Sequence, residues 1–136
     1  MQSRGRGDGA KGRSGVDAVN DLIQRIVNAI IRQEGQPDTA LNPGDLRGAP
    51  WLSNPTIENG FWKPASRVEG IAGLAHLVAL HAAEGNTLTD FIAGHPGVYS
   101  GFAPGADKNN PAVYIANVKE WAAIPDENVP LWNFIV

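Results

Sequence analysis

Residues 16–35 read VDAVNDLIQRIVNAIIRQEG, and the spacing of their apolar positions decides the fold. Val16, Val19, Leu22, Ile23, Ile26, Val27, Ile30 and Ile31 recur at i, i+3, i+4 and i+7. That is the pattern of an amphipathic helix with one buried face. Ser14 can cap its first turn, with Asp17 reaching back from three residues on. Gly35 supplies the left-handed residue that ends many helices. Glu34 is the odd member: three residues after Ile31, four after Ile30 and seven after Val27, it continues the buried stripe. An acid on the inner face, beside the negative end of the helix, is a costly placement.

The whole chain has 136 residues, enough for one domain with a substantial core. It has no cysteine, which excludes disulfides and thiolate metal sites. The three histidines, His76, His81 and His95, do not share a ligand spacing, so no metal or other cofactor is expected. The formal charge of −3 is uneven, since residues 1–15 carry +3 and the remainder −6. An acidic domain with a short basic arm excludes a nucleic-acid reader, which needs a basic face. No apolar run is long enough for a membrane span. The basic N-terminus lacks the apolar segment of a secretory signal. Its glycines between charges predict a flexible arm over residues 1–15, ahead of a folded domain over 16–136.

Beyond the first helix, the prolines and glycines of residues 36–66 exclude a long helix. Asn59-Gly60 between Ile57 and Phe61-Trp62 is a strong hairpin signal. It predicts an irregular two- or three-stranded element carrying Trp51, Phe61 and Trp62. Ser66 and Glu69 form a capping box that opens a helix from Arg67 to Glu84, ended by Gly85. Its inward stripe is Val68, Ile71, Leu74, Ala75, Val78 and Ala82, widened by Leu77 and Leu80. Thr87 and Asp90 start a short helix that Gly94 and Pro96 end. Asn110-Pro111 starts another through Ala123, with Tyr114, Val118 and Trp121 inward. Leu131, Trp132, Phe134 and Ile135 predict a packed tail. The fold class is therefore mainly α, an α+β domain with a small hairpin lobe.

Two roles fit Glu34. Burial and the helix end both disfavour its charged form, raising its pKa from about 4.3 toward 6 or above. Such an acid keeps its proton near neutral pH and can give it to a leaving oxygen. The other role is structural, with Glu34 paired to Arg47, Arg67 or a backbone N–H.

Several blocks, in order, carry a resemblance. They are Glu34-Gly35, Asn42-Pro43-Gly44-Asp45-Leu46-Arg47, Phe61-Trp62-Lys63 and Glu69-Gly70-Ile71-Ala72-Gly73-Leu74. Further on come Gly85-Asn86-Thr87-Leu88, Phe91-Ile92, Ala103-Pro104, Asn109-Asn110-Pro111 and Tyr114-Ile115-Ala116-Asn117-Val118. Together, over roughly residues 20–131, they resemble a phage-associated branch of the lysozyme-like superfamily, related to lytic transglycosylases and goose-type lysozymes. The resemblance implies a lysozyme-like helical domain that cleaves the β-1,4 bond between N-acetylmuramic acid and N-acetylglucosamine in peptidoglycan. It implies that Glu34 is the acid/base and that a tyrosine, here Tyr114, lies near it. The departures are Gly35 where transglycosylases carry serine, the lack of a Gly-Leu-Met-Gln block, and only a faint match at Tyr99-Ser100-Gly101. They leave hydrolysis and transglycosylation both open.

Under that reading, Glu58 and Asp45 are the candidates for a second carboxylate, against the plainer role of turn residues. Trp51, Phe61, Trp62 and Tyr99 offer flat faces to sugar rings, or else pack the core. Asn42 and Arg47 shape the turn beside Glu34, Arg47 as a possible partner of an acid there. Tyr114 orients Glu34 or contacts the sugar, or is a core tyrosine with a satisfied hydroxyl. His76 and His81 read as hydrogen-bonded residues in or beside the helical core rather than catalytic ones, and His95 as exposed. The expected partners are peptidoglycan strands, for a monomer or a domain of a larger assembly, phage-encoded, virion-borne or released to the cell wall without a Sec signal. The rivals are a non-catalytic virion or glycan-binding module of the same fold, and a chitinase-like glycosidase.

Overall fold

The computed structural model describes residues 15–95, 101–103 and 110–135. Ser14, Tyr99 and most of the N-terminal arm lie outside the described residues. Helix α1 runs Gly15–Glu34, and its apolar stripe buries Leu22, Ile26, Val27 and Ile30 completely. Ile23 and Ile31 flank that stripe half-buried, whereas Val16 in the first turn is exposed. The helix stops at Gly35, whose φ of +69° is the left-handed conformation that glycine adopts without cost.

Strands β1 (Ile57–Glu58) and β2 (Phe61–Trp62) form a two-stranded antiparallel hairpin pairing Ile57 with Trp62 and Glu58 with Phe61. Asn59 and Gly60 have φ of +55° and +83°, the pair of positive values that the tightest hairpin turn requires. Trp51 lies in the preceding turn and not in a strand. Helix α2 is Arg67–Ala83; the Ser66 hydroxyl accepts from the Glu69 amide. Glu69 reaches back one residue further than a standard capping box, to the Ala65 amide. Thr87 and Asp90 make the full reciprocal box on α3, Leu88–Ala93. Asn110 caps α4, Pro111–Trp121, with proline in the first turn.

Helix α1 packs on both α2 and α4, and α3 packs on α4. The α1–α4 seam is antiparallel, as its pairs show. Arg25 donates to the Ala122 carbonyl, and the Arg32 guanidinium lies 4.0 Å above the Trp121 ring. Asn117 donates to Gln33 at 2.8 Å, and Tyr114 to Glu34 at 2.6 Å. The tail folds back as a 3₁₀ turn, Leu131–Phe134, with Leu131 fully buried and its amide bonded to the Asn86 carbonyl. Trp132 departs from the expectation of a packed tail, being 58 % exposed.

The face of α2 is also corrected. Val68 is 78 % exposed and Leu80 is exposed, while Gly70, Gly73 and His81 are buried. Two glycines explain the shift, because the loop and the hairpin approach α2 through them. A Cβ on Gly70 would run into the Leu41 carbonyl, and one on Gly73 would sit 2.6 Å from the Trp62 ring. His81 is a core histidine: its ring packs 4.7 Å from Phe91, its Nδ1 meets the Asn86 amide, and burial pushes its pKa down.

Glycine to alanine inside a helix normally stabilises by about 0.5–1 kcal/mol. Here the sign reverses, with both Gly70→Ala and Gly73→Ala expected to lower stability by about 1–3 kcal/mol. Gly70→Ala costs more, since its obstacle is backbone and not an indole that can tilt. Denaturant titration of the two variants checks both the sign and the order.

Candidate active site

The turn after α1 is built by one side chain. The Asn42 amide donates to the Leu46 and Trp62 carbonyls at 2.9 Å each, and its oxygen accepts from the Leu46 amide at 3.0 Å. Backbone bonds from Trp62 to Leu46 and from Asp45 to Asn42 complete the tie between loop and hairpin. Asp45 is thereby held at a φ of +52°, a conformation non-glycine residues seldom adopt. Gln36, two residues beyond the helix, donates to both Asp45 oxygens at 2.9 Å.

This loop faces the end of α1 across a cleft of about 480 Å³. Glu34 and Asp45 line it together with Arg47, Trp51, Phe61, Leu77, Phe102 and Ala103. The far wall hangs from α3, since the Phe102 and Ala103 amides donate to the Phe91 and Ile92 carbonyls. Phe102 packs 5.3 Å from Phe91 and 6.3 Å from Tyr114, covering the tyrosine.

Glu34 is half-buried here, and its pKa is pushed up to about 7 from an ordinary 4.5. Burial is the main cause; the Tyr114 hydroxyl, donating to the carboxylate, works in the opposite direction. A hydrogen bond shared with Asp45 and the Asp45 charge push it up again. Tyr114 is 5 % exposed, and burial together with the Glu34 charge raises its own pKa, so it stays a hydrogen donor. The arrangement is an acid that keeps its proton near neutrality, with a fixed donor ready to steady the carboxylate once that proton leaves.

The structure brings Glu34, Tyr114, Arg47 and Phe61 to one place, and Trp51 with them. It separates the others. Trp62 is 3 % exposed, packed edge-on to Trp51 and against Gly73, so it is a core residue without a face for a sugar. The Asn42 amide is spent on backbone groups. Glu58 lies outside the cleft, on the exposed hairpin, paired with Lys63 at 3.3 Å. The Arg47 guanidinium lies 4.7 Å from the centre of the Phe61 ring instead of pairing an acid, and Arg67 donates to the Ala40 carbonyl, so neither arginine neutralises Glu34. Phe102, Leu77 and Gln36 are site residues that sequence reasoning did not single out. Leu77 carried a weak signal in the widened α2 stripe; Phe102 carried none.

No protein-family model matches the chain, and neither the curated proteins nor the solved structures contain a match to it.

The raised pKa of Glu34 makes a signed prediction about stability. Between about pH 4.5 and 7 the folded chain holds a proton that the unfolded chain releases. This contribution therefore lowers stability as pH rises through that window, and is constant on either side of it. Glu34→Gln removes the ionisation while keeping an acceptor for Tyr114. It should stabilise the protein by about 1–3 kcal/mol at pH 8 and do little at pH 4. Chemical denaturation at the two pH values measures the difference.

Proposed function

We propose that the protein is a peptidoglycan-cleaving glycosidase, a muramidase or lytic transglycosylase of lysozyme-like architecture, in which Glu34 is the general acid/base. The observation that carries this reading is the half-buried, hydrogen-bonded Glu34 on the wall of an open cleft, protonated up to about pH 7. The cleft also has the aromatic surface of Trp51, Phe61 and Phe102 that sugar rings pack against.

In this mechanism the Glu34 carboxyl donates its proton to the glycosidic oxygen as the bond from that oxygen to the anomeric carbon breaks. The leaving sugar departs as an alcohol, and the Glu34 carboxylate is held by the Tyr114 hydroxyl. A substrate acetamido group can stabilise the cationic sugar. Glu34 then takes a proton from the incoming nucleophile, either water, giving hydrolysis, or the sugar's 6-hydroxyl, giving a 1,6-anhydro ring. Asp45, whose two oxygens accept from Gln36, helps keep the proton on Glu34.

Glu34→Gln is expected to lower the rate of clearing of purified cell walls by at least about 100-fold with the fold intact by circular dichroism. Undiminished clearing would remove Glu34 from the chemistry, and no clearing by the unaltered protein would leave a glycan-binding module. Mass spectrometry of the products separates hydrolysis from anhydro-ring formation. Tyr114→Phe tests the proton directly. The hydroxyl stabilises the carboxylate, so its loss raises the Glu34 pKa further and moves the alkaline limb of the pH–rate profile to higher pH.

A further inference from the structure

Among the described residues the cleft carries three charged side chains, and two of them have partners. Glu34 is held by Tyr114, and Asp45 accepts two contacts from Gln36. Arg47 has neither an ion pair nor a hydrogen bond among the described residues. Its guanidinium lies 4.7 Å from the centre of the Phe61 ring. That cation–π contact favours the guanidinium beside the ring, while its N–H donors stay unspent.

The two acids beside it would, alone, repel an anionic ligand. Phe61 itself belongs to strand β2 of the hairpin, which presents its ring beside Arg47 in the cleft. A planar cation with free edge donors, on the wall of a glycan cleft, matches a carboxylate in charge and in two-point geometry. We infer that Arg47, seated on Phe61, selects carboxylate-bearing glycan strands over neutral ones. This rests on the glycan-cleft reading proposed above and sharpens it, because it separates peptidoglycan from uncharged N-acetylglucosamine polymers. The carboxylate has two sources in such strands: the lactyl ether of a stem-free muramic acid, or an attached peptide stem.

The test uses the full chain carrying Glu34→Gln, so that strands are bound without being cut. Binding is followed by tryptophan fluorescence, since Trp51 lines the cleft. The probes are stem-free glycan tetrasaccharide, its stem-bearing counterpart and chitotetraose, all at low salt. The parent should prefer a carboxylated strand to chitotetraose by about tenfold or more, and adding Arg47→Gln should cut that ratio about tenfold. Arg47→Lys, which keeps the charge without the plane, should retain part of it. A drop for the stem-free strand assigns the lactyl carboxylate, and a drop confined to the stem-bearing strand assigns the stem. Equal affinity of the parent for charged and neutral strands overturns the inference, as does an unchanged ratio in Arg47→Gln. Wall clearing by the unaltered protein is read separately. A shifted ratio without clearing removes the glycosidase and keeps Arg47's role, whereas clearing with an unshifted ratio does the reverse.

Discussion

The Tyr114 hydroxyl and the Glu34 carboxyl meet at 2.6 Å, and the rest of the structure is arranged to hold them there. Their separation is set by the antiparallel packing of α1 on α4, which Arg25, Arg32 and Gln33 secure at other points along the seam. The contact balances opposed effects. Removing Glu34 from water favours its neutral form, and the nearby Asp45 charge adds to that. The phenol favours the ion. A tyrosine in this position limits how far burial can raise the acid's pKa, leaving it near 7, where loss and regain of a proton cost similar amounts.

The opposite wall depends on space that side chains do not occupy. The loop carrying Asp45 and Arg47 reaches Glu34 because Leu41 and the two tryptophans can lie against bare backbone at Gly70 and Gly73. Gly44 has the same role toward Leu74, whose side chain would be 2.9 Å from an added Cβ. The Asn42 amide then satisfies buried backbone groups that the irregular loop cannot pair within itself. The cleft is thus a consequence of close approach between a loop without regular structure and a helix face made of small residues.

Much of this was legible in the sequence where the governing interactions are local. The 3.6-residue period of α1, the caps at Ser66, Thr87 and Asn110, and the Asn59-Gly60 turn each act within a few residues, and each is where the sequence placed it. The anomaly of Glu34 was legible too, since an acid in an apolar stripe stands out without knowledge of its partner. Positions set by distant contacts were not. Val68 fits the α2 stripe by spacing, but the loop docks on the glycine side of that helix and leaves it exposed. Trp62 and Phe61 are adjacent in a two-residue strand, too short for alternation to say which faces the core. Arg47 lies on a ring fourteen residues away, and Phe102 is placed through backbone bonds to α3.

The bond between Glu34 and Tyr114 closes 80 residues of chain. The helix caps and the hairpin can form early, because their partners are near in sequence, whereas this contact requires the loop, the lobe and two further helices to be in place. The site is therefore a product of the completed fold and of no fragment of it. A chain still emerging during synthesis has the acid but lacks the phenol that tempers it, so the pair forms only when α4 docks on α1.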